Sequence, residues 1–238
     1  MNWRFFGLVG AALIGALAGQ IRGAEAQTHS PVVIELYTSQ GCVSCPPADD
    51  FMGQLARRDD VIALALHVDY WDYLGWADPF AQPAFTERQK RYARAHREKM
   101  IYTPQFIVGG QARVQGYQPQ QIAEQIARRA AENPRVDLRL EWLGEMVRIE
   151  VWAEPPLDRP AVVQLVRYLP EVEMTIERGE NAGRTAAFHN VVTEWRPVSE
   201  WAGTAPLVVE TPAEGDRPVV VIVQENGPGR ILAAGRLR

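Results

Sequence analysis

Hydrophobic positions fall into two textures along the chain, and the change comes at Pro134. Before it, short apolar runs alternate with polar-faced helical stretches. PVVIELY, Pro31 to Tyr37, is a β-branched run that reads as a buried strand, and PPADDFMGQLARR follows as a helix with Phe51, Met52 and Leu55 on one face. DVIALALHVDY, Asp60 to Tyr70, is a second buried strand, and PAFTERQKRYARAHREKM a polar-faced helix. TPQFIVGG and ARVQG form a strand pair around Gly109-Gly110-Gln111, and QPQQIAEQIARRAAENP is a helix stopped by Asn133 and Pro134. The order β-α-β-α-β-β-α predicts a sheet covered by helices, parallel where helices cross over.

After Pro134 the pattern becomes one of alternating strands. VDLRLEWLGEMVRIEVWAE reads as two strands around Gly144-Glu145, and AVVQLVRYL, TAAFHNVVTEW, PLVVET and VVVIVQENGPGRILAAGRL continue in the same style. Short strands at this spacing predict an antiparallel β-sandwich-like second domain over 135–238, after an α/β domain over 27–134. The polar loop RGENAGR, Arg178 to Arg184, together with His189, is a candidate interdomain or ligand contact.

The N-terminus changes the setting. MNWR, then FFGLVGAALIGALAG, then AEA at Ala24 to Ala26 have the charged, apolar and small-x-small parts of a secretory signal peptide over 1–26. The apolar run is too short for a spanning helix, so the expectation is a periplasmic or secreted chain with no stable membrane insertion after cleavage. Formal net charge is -4, and loss of Arg4, Arg22 and Glu25 makes it one unit more negative. There is no basic stripe to suggest nucleic acid.

Candidate chemistry centres on YTSQGCVSCPPADD, residues 37–50, which holds both cysteines of the chain, Cys42 and Cys45. In an exported protein a disulfide is expected, but a bridge across two residues constrains the unfolded chain little and is labile. The spacing therefore favours a redox pair, with an inert bridge and half of a metal site as alternatives. A zinc site would need two more ligands, and His29, His67, His96 and His189 show no paired spacing. No metal and no cofactor is expected. At a strand-to-helix junction the helix dipole favours a thiolate, which makes Cys42 the exposed attacker and Cys45 the buried resolving thiol. Pro46 and Pro47 push the helix start towards Ser44 as N-cap.

Residues 30–133 resemble the thioredoxin-like superfamily in IELYTSQGCVSC, in Thr103-Pro104 opening the third strand, and in the order of elements. The resemblance implies that Pro104 is cis beside the redox pair and that the Thr103 backbone binds an extended substrate. It also implies that Glu35, buried on the first strand, carries the proton of Cys45, as similar residues do in protein disulfide isomerases. TPQFIVGG is similar to glutaredoxins, in which a Gly-Gly turn and a later segment, here Gly116, Tyr117 and Gln118, help hold glutathione. Over nearly the whole mature chain the sequence also resembles a secreted bacterial family, domain of unknown function 1223, in ELYTSQGCVSCPPAD, HVDYWDYLGWADPF, YTPQFIVGG and RGENAGRTAAFHNVV. That family adds no reaction.

The expected function is an exported thiol-disulfide oxidoreductase acting on protein thiols or disulfides, with glutathione as a candidate small thiol. The alternative is a binding module holding copper(I) or a partner protein, with Cys42 and Cys45 as soft ligands. The aromatic stretch Tyr70, Trp71, Tyr73, Trp76 and Phe80 is either a groove beside Cys42 or core. His67 and Asp69, two apart on a strand, form a candidate acid-base or metal pair.

Overall fold

The computed structural model describes residues 30–237; the expected signal peptide lies outside them. The first half follows the expected order: β1 (Val32–Thr38), α1 (Pro46–Ala56), β2 (Val61–His67), a 3-10 turn (Asp72–Leu74), α2 (Pro83–Ala95), β3 (Gln105–Val108), β4 (Ala112–Gln115) and α3 (Pro119–Ala130). β5 (Val136–Leu143), β6 (Met146–Ala153), β7 (Ala161–Thr175), β8 (Thr185–Trp201), β9 (Leu207–Pro212), β10 (Val219–Glu225) and β11 (Ile231–Leu237) make up the second half. Among the described residues no helix is long and apolar enough to cross a membrane.

The architecture is a mixed α/β fold with a large mixed sheet and a second antiparallel sheet. The eight-stranded sheet runs β11-β10-β7-β8-β2-β1-β3-β4, and β5-β6-β9 form the three-stranded one. β1 and β2 are parallel, as their helical crossover requires, and β3 runs antiparallel to β1. The second half does not stand apart as the sequence led one to expect. Its strand β8 joins β2 in parallel at Ala65 and Val191, so one sheet crosses the expected boundary at 134. A sandwich exists only in part: β5, β6 and β9 bury Val136, Val147, Ile149 and Val151 against Val163, Leu165, Val219 and Val221 of the large sheet.

Strand alternation divides the rest of the core between two faces. Val32, Ile34 and Leu36 of β1 pack with Ala48, Met52 and Leu55 of α1 and Ile122 and Ile126 of α3. Val33 and Tyr37 face the other way, into the layer of α2 residues Phe85 and Tyr92.

Candidate functional site

Cys42 and Cys45 form a disulfide in the loop between β1 and α1. Two successive turns shape that loop: Cys42 N–H donates to Ser39 O at 3.1 Å, and Cys45 N–H to Cys42 O at 3.2 Å. Cys45 is the N-cap of α1, and Pro46 and Pro47 open the helix, where the first backbone N–H groups have no intrahelical acceptor and a missing donor is harmless. The helix thus begins one residue later than expected, and its dipole acts most directly on Cys45.

The expected contrast in exposure is absent. Cys42 is 1% exposed and Cys45 0%, although Val43 between them is 63% exposed. The tip of the β7–β8 hairpin is bonded to this loop. Asn181 Nδ2 donates to Gln40 O at 2.8 Å and to Cys42 O at 3.0 Å, and Arg184 lies 3.5 Å from Asp50. The hairpin is anchored by Ile176 and Phe188, which pack with Trp76 and Phe80. RGENAGR is therefore a contact, and what it contacts is the cysteine loop.

Thr103 and Pro104 lie beside the pair, joined by a cis peptide bond. Thr103 O accepts from Ser44 Oγ at 3.5 Å, and Thr103 Oγ1 from Trp71 Nε1 at 2.8 Å. A Cβ on Gly41 would stand 3.1 Å from Trp71 Cβ, so glycine lets the indole lie against the loop. Trp76 Nε1 donates to Gln40 Oε1 at 2.7 Å. Trp71 and Trp76 are thus fixed by hydrogen bonds, Trp76 and Phe80 pack against buried Ile176 and Phe188, and Tyr73 is left exposed. Val43, Tyr73, Met100 and Tyr117 are all exposed and all lie in segments at the cysteine end of the sheet.

Glu35 is buried as expected but stands elsewhere. It faces the α2 layer, away from α1, where Arg88 grips it with Nε at 2.7 Å and Nη2 at 2.9 Å, and Tyr37 and Tyr92 donate at 2.9 and 2.7 Å. Arg88 also donates to Gln224 of β10 at 3.0 Å and lies 3.8 Å from the Trp195 ring centroid. This network ties β1 and α2 to the second half of the chain and engages both oxygens of Glu35 on the face of β1 away from α1. The Gly109-Gly110 turn is likewise remote. It closes the opposite end of the sheet, against Arg129 and Gly229, while Gly116 and Tyr117 border the cysteine end.

The carboxylate beside the pair is Asp49, one helical turn after Cys45 and bonded to its carbonyl through Asp49 N–H at 3.1 Å. Thr38 Oγ1 donates to Asp49 Oδ1 at 2.7 Å. Burial pushes the Asp49 carboxyl up to about 7, against the opposing pull of His67 and Thr38. His67 pairs with Asp78, Nδ1 to Oδ2 at 2.7 Å, in place of Asp69, which is taken by Thr86. Burial disfavours the charged imidazole, but Asp78 and Asp49 outweigh it, so His67 titrates above its ordinary value. Burial also works against the Asp78 carboxylate; His67 and the N–H groups of Gln40 and Phe80 hold it below the usual range all the same. Asp49 was not singled out in the sequence, although its spacing from Cys45 on one helix face was a signal that could have found it; Asp78 and Asn181 come from loops and carried no such signal.

Known proteins similar to this chain bear on fold more than on chemistry. A crystal structure of protein AGR_C_4864 from Agrobacterium tumefaciens is 31% identical, with a TM-score of 0.76 over 89% of this chain and 96% of that one. HBP35 of Porphyromonas gingivalis is 15% identical, with a TM-score of 0.63 over 90% of this chain and 76% of that one, a likeness of fold alone. No curated protein matches. Residues 33–224 match the family described as protein of unknown function, DUF1223, and with that span and the Agrobacterium relative the chain belongs to the DUF1223 family.

Proposed function

We propose that the protein is an exported thiol-disulfide oxidoreductase built on a thioredoxin-like frame. The observation that carries the reading is the Cys42–Cys45 disulfide itself, closing a two-residue loop at the start of α1, with Thr103 O 3.5 Å from Ser44 Oγ of that loop. A bridge of this span adds little to the fold, while the helix N-terminus favours a thiolate at the same place. Cys42 attacks, Cys45 resolves, and the Thr103 backbone with exposed Val43, Tyr73, Met100 and Tyr117 receives an extended polypeptide bearing a thiol or disulfide. Periplasmic or extracellular residence, expected from residues 1–26, supplies such substrates.

Equilibration against glutathione buffers tests the reading. A redox couple gives a reduction potential above about -300 mV, the level below which structural disulfides lie, and Cys45→Ser then accumulates mixed disulfides through Cys42. A copper-holding module gives a different result: the reduced protein binds Cu(I), and Cys45→Ser loses the metal and traps nothing.

A further inference from the structure

The polar groups under the disulfide form a buried cluster that the exchange of sulfurs alone does not explain. Thr38 and His67 are neighbours on the paired strands β1 and β2, at the ends that point to the cysteine loop. Asp49 reaches down to them from α1, and Asp78 reaches in from the loop after β2. All four are buried. His67 is held at Nδ1 by Asp78 and wedged between Phe80 and Phe188, each 5.3 Å away between ring centroids. Its Nε2 is buried and finds no hydrogen-bond partner among the described residues. Burying such a nitrogen unpaired is costly, and a fold concerned only with packing would place an apolar side chain there. Beside Asp49 lies a small cavity of about 10 Å³, bordered by Ser39, Gln40, Pro46, Asn181 and Phe188.

We propose that Asp49 exchanges a proton with Cys45 during opening and closing of the disulfide, and that His67, held by Asp78, is the positioning residue that balances the charge left on Asp49. The inference rests on the thiol–disulfide reading of the same pair. The step balances as follows. An external thiolate attacks Cys42 Sγ, a new S–S bond forms, and the Cys42–Cys45 bond breaks with its electron pair going to Cys45. The Asp49 carboxyl gives its proton to the Cys45 thiolate and becomes a carboxylate beside the His67 imidazolium. A second external thiolate then attacks the external sulfur of the mixed disulfide, and Cys42 leaves as a thiolate. The two external thiols end as one disulfide and have supplied the two electrons; oxidation of the pair runs the same steps backwards.

Helix geometry places Asp49 for this work, because side chains four residues apart lie about 5–6 Å apart at Cβ and Cys45 already has helical backbone angles. The ionisable groups acting on the cluster are few. Asp49 and Asp50 come from α1, Asp78 and Asp72 from the loop after β2, and Arg184 from the hairpin at the cavity rim. His67 is the cation acting on Asp49 from the strands.

Reduction potentials of the purified full chain, measured between pH 5.5 and 8.5 against dithiol buffers, test the proposal. The wild type is expected to show a change of slope near pH 7. Asp49→Asn removes it, and His67→Gln moves it upward by about one pH unit, since loss of an opposing charge raises a carboxyl by that much or more. A featureless slope in the wild type, or a break that stays in place in His67→Gln, overturns the proposal. Should the variants fail to fold, the His67 imidazole resonance is followed by NMR in the oxidised and reduced wild type; a midpoint that differs between the two forms supports the proposal, and identical midpoints overturn it. Trapping with Cys45→Ser reads the function separately: a slope break without mixed disulfides sinks the oxidoreductase reading, and mixed disulfides without a break sink only the proton exchange.

Discussion

Asn181 donates to the carbonyl of Cys42 at 3.0 Å from 139 residues away in sequence, and a second bond from the same amide holds Gln40 O. Two polar contacts from one side chain thus tie the hairpin to the loop that carries the buried disulfide. Removing both, in Asn181→Ala, forfeits about 1–3 kcal/mol of closure, at about 0.5–1.5 kcal/mol for each bond. We expect reduction by dithiothreitol under native conditions to speed up about tenfold, each 1.4 kcal/mol being a factor of about ten. Stopped-flow or gel-shift kinetics read the rate, and an unchanged rate removes Asn181 from any role in access.

Glu35 and Arg88 test the division of the sheet into two faces. Glu35→Ala leaves Arg88 buried without its carboxylate, a loss that costs about 3–5 kcal/mol when one partner of a buried pair is removed. Denaturant unfolding should register that cost. The reduction potential and its pH profile should match the wild type, because Glu35 faces α2 and the disulfide sits above α1. A shifted pH profile in Glu35→Ala would restore the residue as the proton carrier.

Asp49 makes stability depend on pH with a definite sign. Its folded-state value near 7 lies above the ordinary 3.8, so between those values the native chain holds a proton that the unfolded chain has lost. Stability therefore falls as pH rises through that window, by about 1.4 kcal/mol per pH unit. His67, raised in the fold, acts in the same direction above its ordinary 6.5. Asp78 acts oppositely, its contribution being lost only as pH falls below the ordinary carboxylate range. Urea midpoints of the oxidised wild type should fall between pH 5 and 8, and Asp49→Asn should flatten the fall. A midpoint independent of pH in the wild type would contradict the buried carboxyl.

Gly53 on α1 lies so close to His189 of β8 that a Cβ there would meet the imidazole at 2.6 Å. Gly53→Ala gains helix propensity of about 1 kcal/mol but overpacks this contact, at about 1–3 kcal/mol. We expect a net loss in thermal melting temperature, recovered when His189→Ala is added. A stabilised Gly53→Ala would show that β8 yields easily at this point.

The cysteine loop and its neighbours were legible because their signals are local. Pro46 and Pro47 mark a first helical turn, short continuous apolar runs mark β1 and β2, and Thr103-Pro104 opens a strand. Burial of Glu35 could also be read from its apolar neighbours, but which layer it entered could not, since alternation tells faces apart without naming what covers each. The joining of the two halves was hidden for a different reason. β8 meets β2 at a single register pair, next to Asn190, which adopts a left-handed φ of 50° and bonds Ala63 O through its side chain at 2.8 Å. Nothing in TAAFHNVVTEW distinguishes a strand that bridges two sheets' worth of chain from one that ends a hairpin. His67 was read with Asp69, two positions on, but its partner is Asp78, which lies in a loop, and only folding brings the two together.

The order in which the chain is made gives the hairpin contact a further meaning. A ribosome delivers the N-terminal part first, so β1, the cysteine loop and α1 exist well before Asn181 does. Contacts that span so much of the chain close late, after the local ones. The two cysteines therefore stand on an unfinished sheet before the residue that bonds to their loop has been made. The surroundings of this loop during synthesis thus differ from those it has in the finished molecule.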